Sequence, residues 1–110
     1  MESENRPNLV ESYRELGMRR FLLNINIKQD GILFMWEQVA IPKGRFDYGG
    51  IVDALVSHKY PIDKMQAVIN NYLLEPENEE FVTEFNNMQA WRKEAKEIAK
   101  EVLLYELSNG

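Results

Sequence analysis

"FLLNINIKQDGILFMWEQVAI", residues 21–41, decides how this chain is read. Leu23, Ile25 and Ile27 alternate with Leu22, Asn24, Asn26 and Lys28. A period of two with β-branched residues is that of a half-buried strand. Asp30-Gly31 follows, a dipeptide suited to a two-residue hairpin turn whose central positions take positive φ. The returning run, Ile32 to Ile41, is apolar enough for a second strand and is closed by Pro42-Lys43-Gly44. The stretch therefore predicts a β-hairpin.

A lone hairpin is marginal in water, so its apolar face needs a cover. The residues that follow supply helices. "DYGGIVDALVSHKYP" (47–61) has Asp47 as a cap, Ile51 and Leu55 facing inward, and Pro61 as a stop. In "IDKMQAVINNYLLE" (62–75), Asp63 is the expected cap and Met65, Val68, Ile69, Tyr72 and Leu73 form a broad stripe. Pro76 interrupts, and "PENEE" then opens a last helix with carboxylates at its positive dipole end.

That last helix carries a seam of Phe81, Phe85, Met88, Trp91, Ala95, Ile98, Val102 and Tyr105, widened by Val82, Ala99 and Leu103. The spacing is close to a heptad repeat. From Asn78 to Leu107 it would be about 45 Å long at 1.5 Å per residue. A compact domain of this size is about 34 Å across. Either the helix kinks, or it frays near Leu104, or its end buries apolar surface on another chain. No Pro or Gly lies between Glu77 and Asn109 to kink it. The candidate interface is Trp91, Ile98, Val102, Leu103, Tyr105 and Leu107.

Upstream of the hairpin, Leu9, Tyr13 and Leu16 fall at i, i+4 and i+7, and Gly17 stands where a C-cap would. That spells a short helix, or an ordered arm on another subunit. Residues 1–8, "MESENRPN", are polar and lack an apolar h-region, so they read as a disordered tip and not as a signal peptide. The expected organisation is a single α+β domain over residues 9–110. In it an N-terminal short helix and a β-hairpin pack against three C-terminal helices, the last long and amphipathic.

The 110 residues suffice for one domain with a core of its own, and with no cysteine there is no disulfide framework and no thiolate chemistry. A reducing cytoplasm suits that composition. No apolar run is long enough to span a bilayer, so no membrane role is expected. The net charge of −5 is unevenly placed. Acids and bases balance at nine each through Leu73, whereas nine glutamates face four bases beyond it. An acidic surface of that kind disfavours phosphate backbones, and no nucleic-acid partner is expected.

Chemistry is sparse. His58 is the single histidine, which excludes His-based triads and multi-His metal sites within one chain, and at a helix end it reads as a C-terminal capping group. Asp53 and Glu37 stand in apolar surroundings where a carboxylate pKa could rise, but a solvent-facing position explains both. Glu75, Glu77, Glu79, Glu80 and Glu84 lack the alternating ligands and the glycine of a calcium loop. "KGRFDYGG" (43–50) matches neither the phosphate-loop pattern nor the dinucleotide fingerprint, and Gly49-Gly50 suggests close backbone packing. No catalytic residue, cofactor or metal is expected. If Trp36 points outward from its strand, it is the candidate binding anchor.

"KYPIDKMQAVINNYL" (59–73) and "FNNMQAWRKEAKEIAKEV" (85–102) resemble small uncharacterised proteins encoded in gut-bacterial genomes, often in prophage-like regions. Tyr60, Asp63, Met65-Gln66-Ala67, Ile69-Asn70-Asn71, Met88-Gln89-Ala90-Trp91-Arg92 and Ala95-Lys96 carry the likeness. It implies a phage-type accessory or structural protein and brings no catalytic or cofactor residues. The expected function is a non-enzymatic, cytoplasmic interaction module that self-associates through its long helix as a homo-oligomer, with a dimer foremost. Another protein partner, or a small-molecule or peptide ligand held on the hairpin face around Trp36, is the alternative.

Overall fold

The hairpin read from residues 21–41 is present, but it is the centre of a larger sheet. The computed structural model describes residues 1–109, with side chains through Glu106. Four strands come first: β1 (Glu2–Ser3), β2 (Val10–Glu15), β3 (Met18–Asp30) and β4 (Leu33–Ala40). Three helices follow: α1 (Tyr48–Lys59), α2 (Ile62–Leu74) and α3 (Glu79–Asn109). The strands pair antiparallel in the order β1-β4-β3-β2 and curl into a half-barrel.

The expected N-terminal short helix is therefore corrected: residues 10–15 are a strand. Glu15 pairs with Met18 across a two-residue turn, in which Leu16 has φ 52° and Gly17 φ 80°. Positive φ at both central positions is the type I′ hairpin geometry, whose twist matches that of the strands it joins. Gly17 thus serves as a turn glycine and not as a helix cap. The i, i+4, i+7 spacing misled because β2 buries only Val10 and leaves Glu11 to Glu15 exposed. Six residues on an edge strand show little of the inside–outside alternation that marks a strand, and here pairing with β3 overrides the local pattern.

The central hairpin also differs in detail. Asp30 pairs with Leu33, so the turn residues are Gly31 and Ile32, one place beyond Asp30-Gly31. Gly31 has φ 63°, which suits the first central position of a type II′ turn. A bulge lies between Ile25 and Lys28, with Asn26 at φ 53°. It ends the strict alternation, so Ile27 does not continue the buried face of Leu23 and Ile25.

One cluster forms the core: Val10, Leu23, Ile25, Val39 and Ile41 from the sheet and its exit meet Ile51, Leu55 and Val56 of α1 and Trp91, Ala95, Ala99 and Val102 of α3. Trp91 donates its indole N–H to the Leu55 carbonyl at 2.9 Å, tying α3 to α1. Ala95 and Ala99, both fully buried, provide small contact positions on α3. Phe85 of α3 stacks on Tyr72 of α2, with ring centroids 4.2 Å apart. With 31 residues α3 is about 46 Å long. The molecule measures 49 × 37 × 24 Å, and Met88, Trp91, Ala95, Ala99 and Val102 of this helix are buried within the chain itself.

Asp47 caps α1 by accepting from the Gly50 N–H at 2.7 Å, as expected. A Cβ at Gly50 would overlap the Arg45 carbonyl oxygen, so Gly49-Gly50 does mark close packing, at its second residue. α2 begins two residues earlier than a cap at Asp63 would put it, with Pro61 at its N-cap. Asn78 caps α3 by accepting from the Glu80 and Phe81 N–H groups at 3.0 and 3.3 Å.

Leu16 is 99% exposed and holds a left-handed conformation that costs a non-glycine residue about 1 kcal/mol or more. Leu16→Asn, which makes the preferred Asn-Gly turn, is expected to stabilise the fold by about 0.5–1 kcal/mol and raise Tm by a few degrees. Thermal unfolding of the two proteins checks this, and an unchanged or lowered Tm would count against the turn assignment.

Candidate functional site

The place where backbone chemistry is left available is the outer edge of β4. Residues in an antiparallel strand direct their N–H and C=O groups alternately to one neighbour and the other. The Ile41 N–H donates to the Phe21 carbonyl, so the odd-numbered residues here bond towards β3. Trp36 bonds the other way, exchanging both hydrogen bonds with Met1 at 3.0 Å. Gln38 and Ala40 follow Trp36 in phase. Their N–H and C=O groups therefore point away from β3, past the end of β1, and no described residue pairs with them.

Beside this rail runs a groove of about 420 Å³ between β4 and α1. Gln38, Val39 and Ala40 line its sheet side, and Gly50, Ala54 and Ser57 its helix side. These last three are small residues at i, i+4 and i+7, one face of the helix. Arg45 stands at the rim, 3.4 Å from Asp53 and 4.0 Å from Asp47.

Glu37 faces the same side as Val39 and meets α1. Its carboxylate contacts His58 Nε2 at 2.8 Å through one oxygen and accepts from Asn26 Nδ2 at 2.6 Å through the other. Asn26 reaches it because the bulge turns that residue out of phase. The Asn26 hydrogen bond, then the His58 one, hold the Glu37 carboxyl below the ordinary glutamate range, since both favour the charged form. Neither Glu37 nor His58 is idle surface, yet their proximity across 21 residues has no signature in the sequence beyond a charged residue in an apolar strand.

On the opposite face of the sheet lies a second polar cluster. Asn24, fully buried, donates from Nδ2 to the Asn8 carbonyl at 2.7 Å and accepts at Oδ1 from Gln38 Nε2 at 3.1 Å. Gln38 also lies 3.3 Å from Glu11. These bonds hold Gln38 in place, and with it the rail. Trp36 shares this face by alternation and is partly buried, and its indole N–H has no acceptor among the described residues.

The residues singled out on α3 are distributed as follows. Trp91 and Val102 are buried in the chain's own core, and Ile98 and Leu103 are partly buried against it. Leu104 and Tyr105 are exposed at 63% and 36%, and the Leu107 side chain lies outside the described residues. Glu106 pairs with Arg19 of β3 at 3.5 Å, so the end of α3 reaches the sheet. Among the described residues no group of His, Asp and Glu is gathered as a metal site, and no helix is long and apolar enough to cross a membrane. No family model matches the chain, and no curated protein and no solved structure matches it.

Folded-state lowering of the Glu37 pKa contributes stability that is present above the unfolded value and lost as pH falls through the folded value. Asn26→Gly keeps the positive φ and deletes the hydrogen bond, so Glu37 should titrate closer to the ordinary range. The stability gap between the two proteins should be widest near neutral pH and narrow on acidification. Carboxyl NMR titration and unfolding at several pH values measure both. An unmoved Glu37 titration would mean that Asn26 contributes nothing to it.

Proposed function

We propose that this chain is a cytoplasmic protein-interaction domain without catalytic activity of its own, which binds an extended polypeptide by adding it as a strand to the outer edge of β4. The observation that carries this reading is the rail of Gln38 and Ala40 beside a groove. Strand addition takes its affinity from main-chain hydrogen bonds and its selectivity from pockets for alternate side chains. Both parts stand together here, next to Trp36, and Met1 and Glu2 already illustrate the pairing at Trp36 and Met35.

The sheet's other edge is less suited to a guest. β2 exposes Glu11, Arg14 and Glu15, the kind of charged edge that discourages pairing. The rail of β4 presents Gln38 and Ala40, both neutral.

Proline tests the reading, because Ala40 directs its N–H away from β3. Ala40→Pro removes a donor that the ladder with β3 does not use, a position where edge strands tolerate proline. Peptides selected by display for binding to the wild-type domain should protect the Gln38 and Ala40 amides from hydrogen exchange. They should lose binding to Ala40→Pro while its Tm stays close to wild type. Selected peptides that bind Ala40→Pro equally well would refute strand addition at this edge.

Self-association is a second reading, favoured by the 63% exposure of Leu104 next to Leu103 and Tyr105. It narrows the interface to the end of α3, because Trp91 and Val102 serve the core. Such a homodimer would fit an assembly factor of the prophage type. Light scattering at two concentrations should then give a dimer that Leu104→Glu returns to monomer without loss of helicity. A wild-type monomer at both concentrations would rule the dimer out.

A further inference from the structure

A groove of about 370 Å³ lies where α1, the start of α2 and α3 meet, with no strand residue in its lining. Val52, Val56, Ile62 and Met65 form its apolar wall, and Arg92 and Lys96 stand on its α3 side. These two cations are one helical turn apart, a like-charged i, i+4 pair that by itself slightly disfavours the helix. Among the described residues neither is in an ion pair, and Arg92 reaches only the Gln89 side-chain oxygen at 3.4 Å. Asp53 is the one carboxylate in the lining, and Arg45, from outside it, holds that group at 3.4 Å. Asp63, in the first turn of α2, lies outside the lining. An apolar wall thus stands beside two uncommitted cations, in a chain whose net charge is −5.

The other end of α2 has the complementary character. Leu73 and Leu74 close that helix side by side, 68% and 80% exposed. Glu75, Pro76 and Glu77 make the corner into α3, whose first turn adds Glu79 and Glu80. From Met65 to Trp91 the sequence has no lysine, arginine or histidine. None of these four glutamates is in an ion pair among the described residues. The corner is apolar and acidic where the groove is apolar and basic.

We propose that the α2–α3 corner of one copy docks in this groove of a second copy, with its leucines on the apolar wall and its glutamates towards Arg92 and Lys96. Charge complementarity selects the occupant, since a neutral or basic guest would leave both cations unpaired. The 13 residues of α2, about 20 Å long, hold groove and corner at opposite ends, so a copy cannot fill its own groove. A contact between two different surfaces is heterologous: each copy keeps one groove and one corner to offer, and the copies extend into a ring or an open chain. One helix corner in one groove is a small interface, so the association is weak and concentration-dependent. It uses neither the edge of β4 nor the exposed Leu104.

Two variants separate the partners in this contact. Leu73→Ser with Leu74→Ser strips the corner of its exposed leucines. Lys96→Glu reverses a groove cation at an exposed position and gives Arg92 an opposite charge one turn away, so the helix should not suffer. Sedimentation velocity of the wild type up to about 1 mM, the weak end of the affinity scale, should show a mass that rises with concentration, less steeply at high salt. Each variant alone should lose that rise while keeping a Tm close to wild type. Their equimolar mixture should form a dimer and nothing larger, because one intact corner meets one intact groove. A mixture that stays monomeric would overturn the proposal. So would a wild type that stays monomeric, and binding of the labelled peptide Tyr-Leu-Leu-Glu-Pro-Glu to that monomer would assign the groove to an acidic segment of another protein. Self-association that survives both variants and disappears with Leu104→Glu would overturn it in favour of the end of α3.

Discussion

A four-stranded sheet keeps its apolar face dry only when something covers it, and here the cover is shared by Ile51, Leu55 and Val56 of α1 and by Trp91, Ala95, Ala99 and Val102 of α3. α3 also holds the other two helices in place. Trp91 fixes α1 to it through the Leu55 carbonyl, Phe85 brings α2 to it through Tyr72, and Ala95 and Ala99 are fully buried on it. A fully buried large side chain is worth about 1.5–3 kcal/mol relative to exposure. This shared cover therefore outweighs the scattered surface ion pairs, each worth about 1 kcal/mol or less.

Because α3 and α1 cover the sheet's inner face, the sheet's edges become the places where the fold leaves backbone groups unspent. β2 meets solvent with charges. β4 pairs with β1 at Phe34 and Met35 and with Met1 at Trp36, and the small residues Gly50, Ala54 and Ser57 of α1 line the groove beside Gln38 to Ala40. The polar contacts of Gln38 with Asn24 and of Glu37 with Asn26 and His58 flank this rail on its two faces. They hold its side chains in place without using the outward backbone groups.

Much of this was legible from residues alone. Period-two alternation located the hairpin, Asp47 located the start of α1, and the seam of α3 is the stripe that the structure buries over Met88 to Val102. β2 was not legible, since Leu9, Tyr13, Leu16 and Gly17 satisfy a helix turn and its cap as well as a strand and a type I′ turn. The bulge at Asn26 was equally hidden, because one inserted residue leaves no mark in composition. The Glu37–His58 contact needed the register of β4 against α1, which two distant segments settle only by packing.

The sequence by itself determined the local elements whose signals are periodic or chemical: the hairpin, the three helices and the long one-sided seam. Tertiary structure decided what that seam covers, that residues 10–15 join the sheet, and that β4 lies between β3 and β1. The physical reason is that hydrophobic period and capping act within a few residues. Edge pairing, burial of a shared stripe and the meeting of Glu37 with His58 depend on groups far apart in the chain, and are settled only when the core closes.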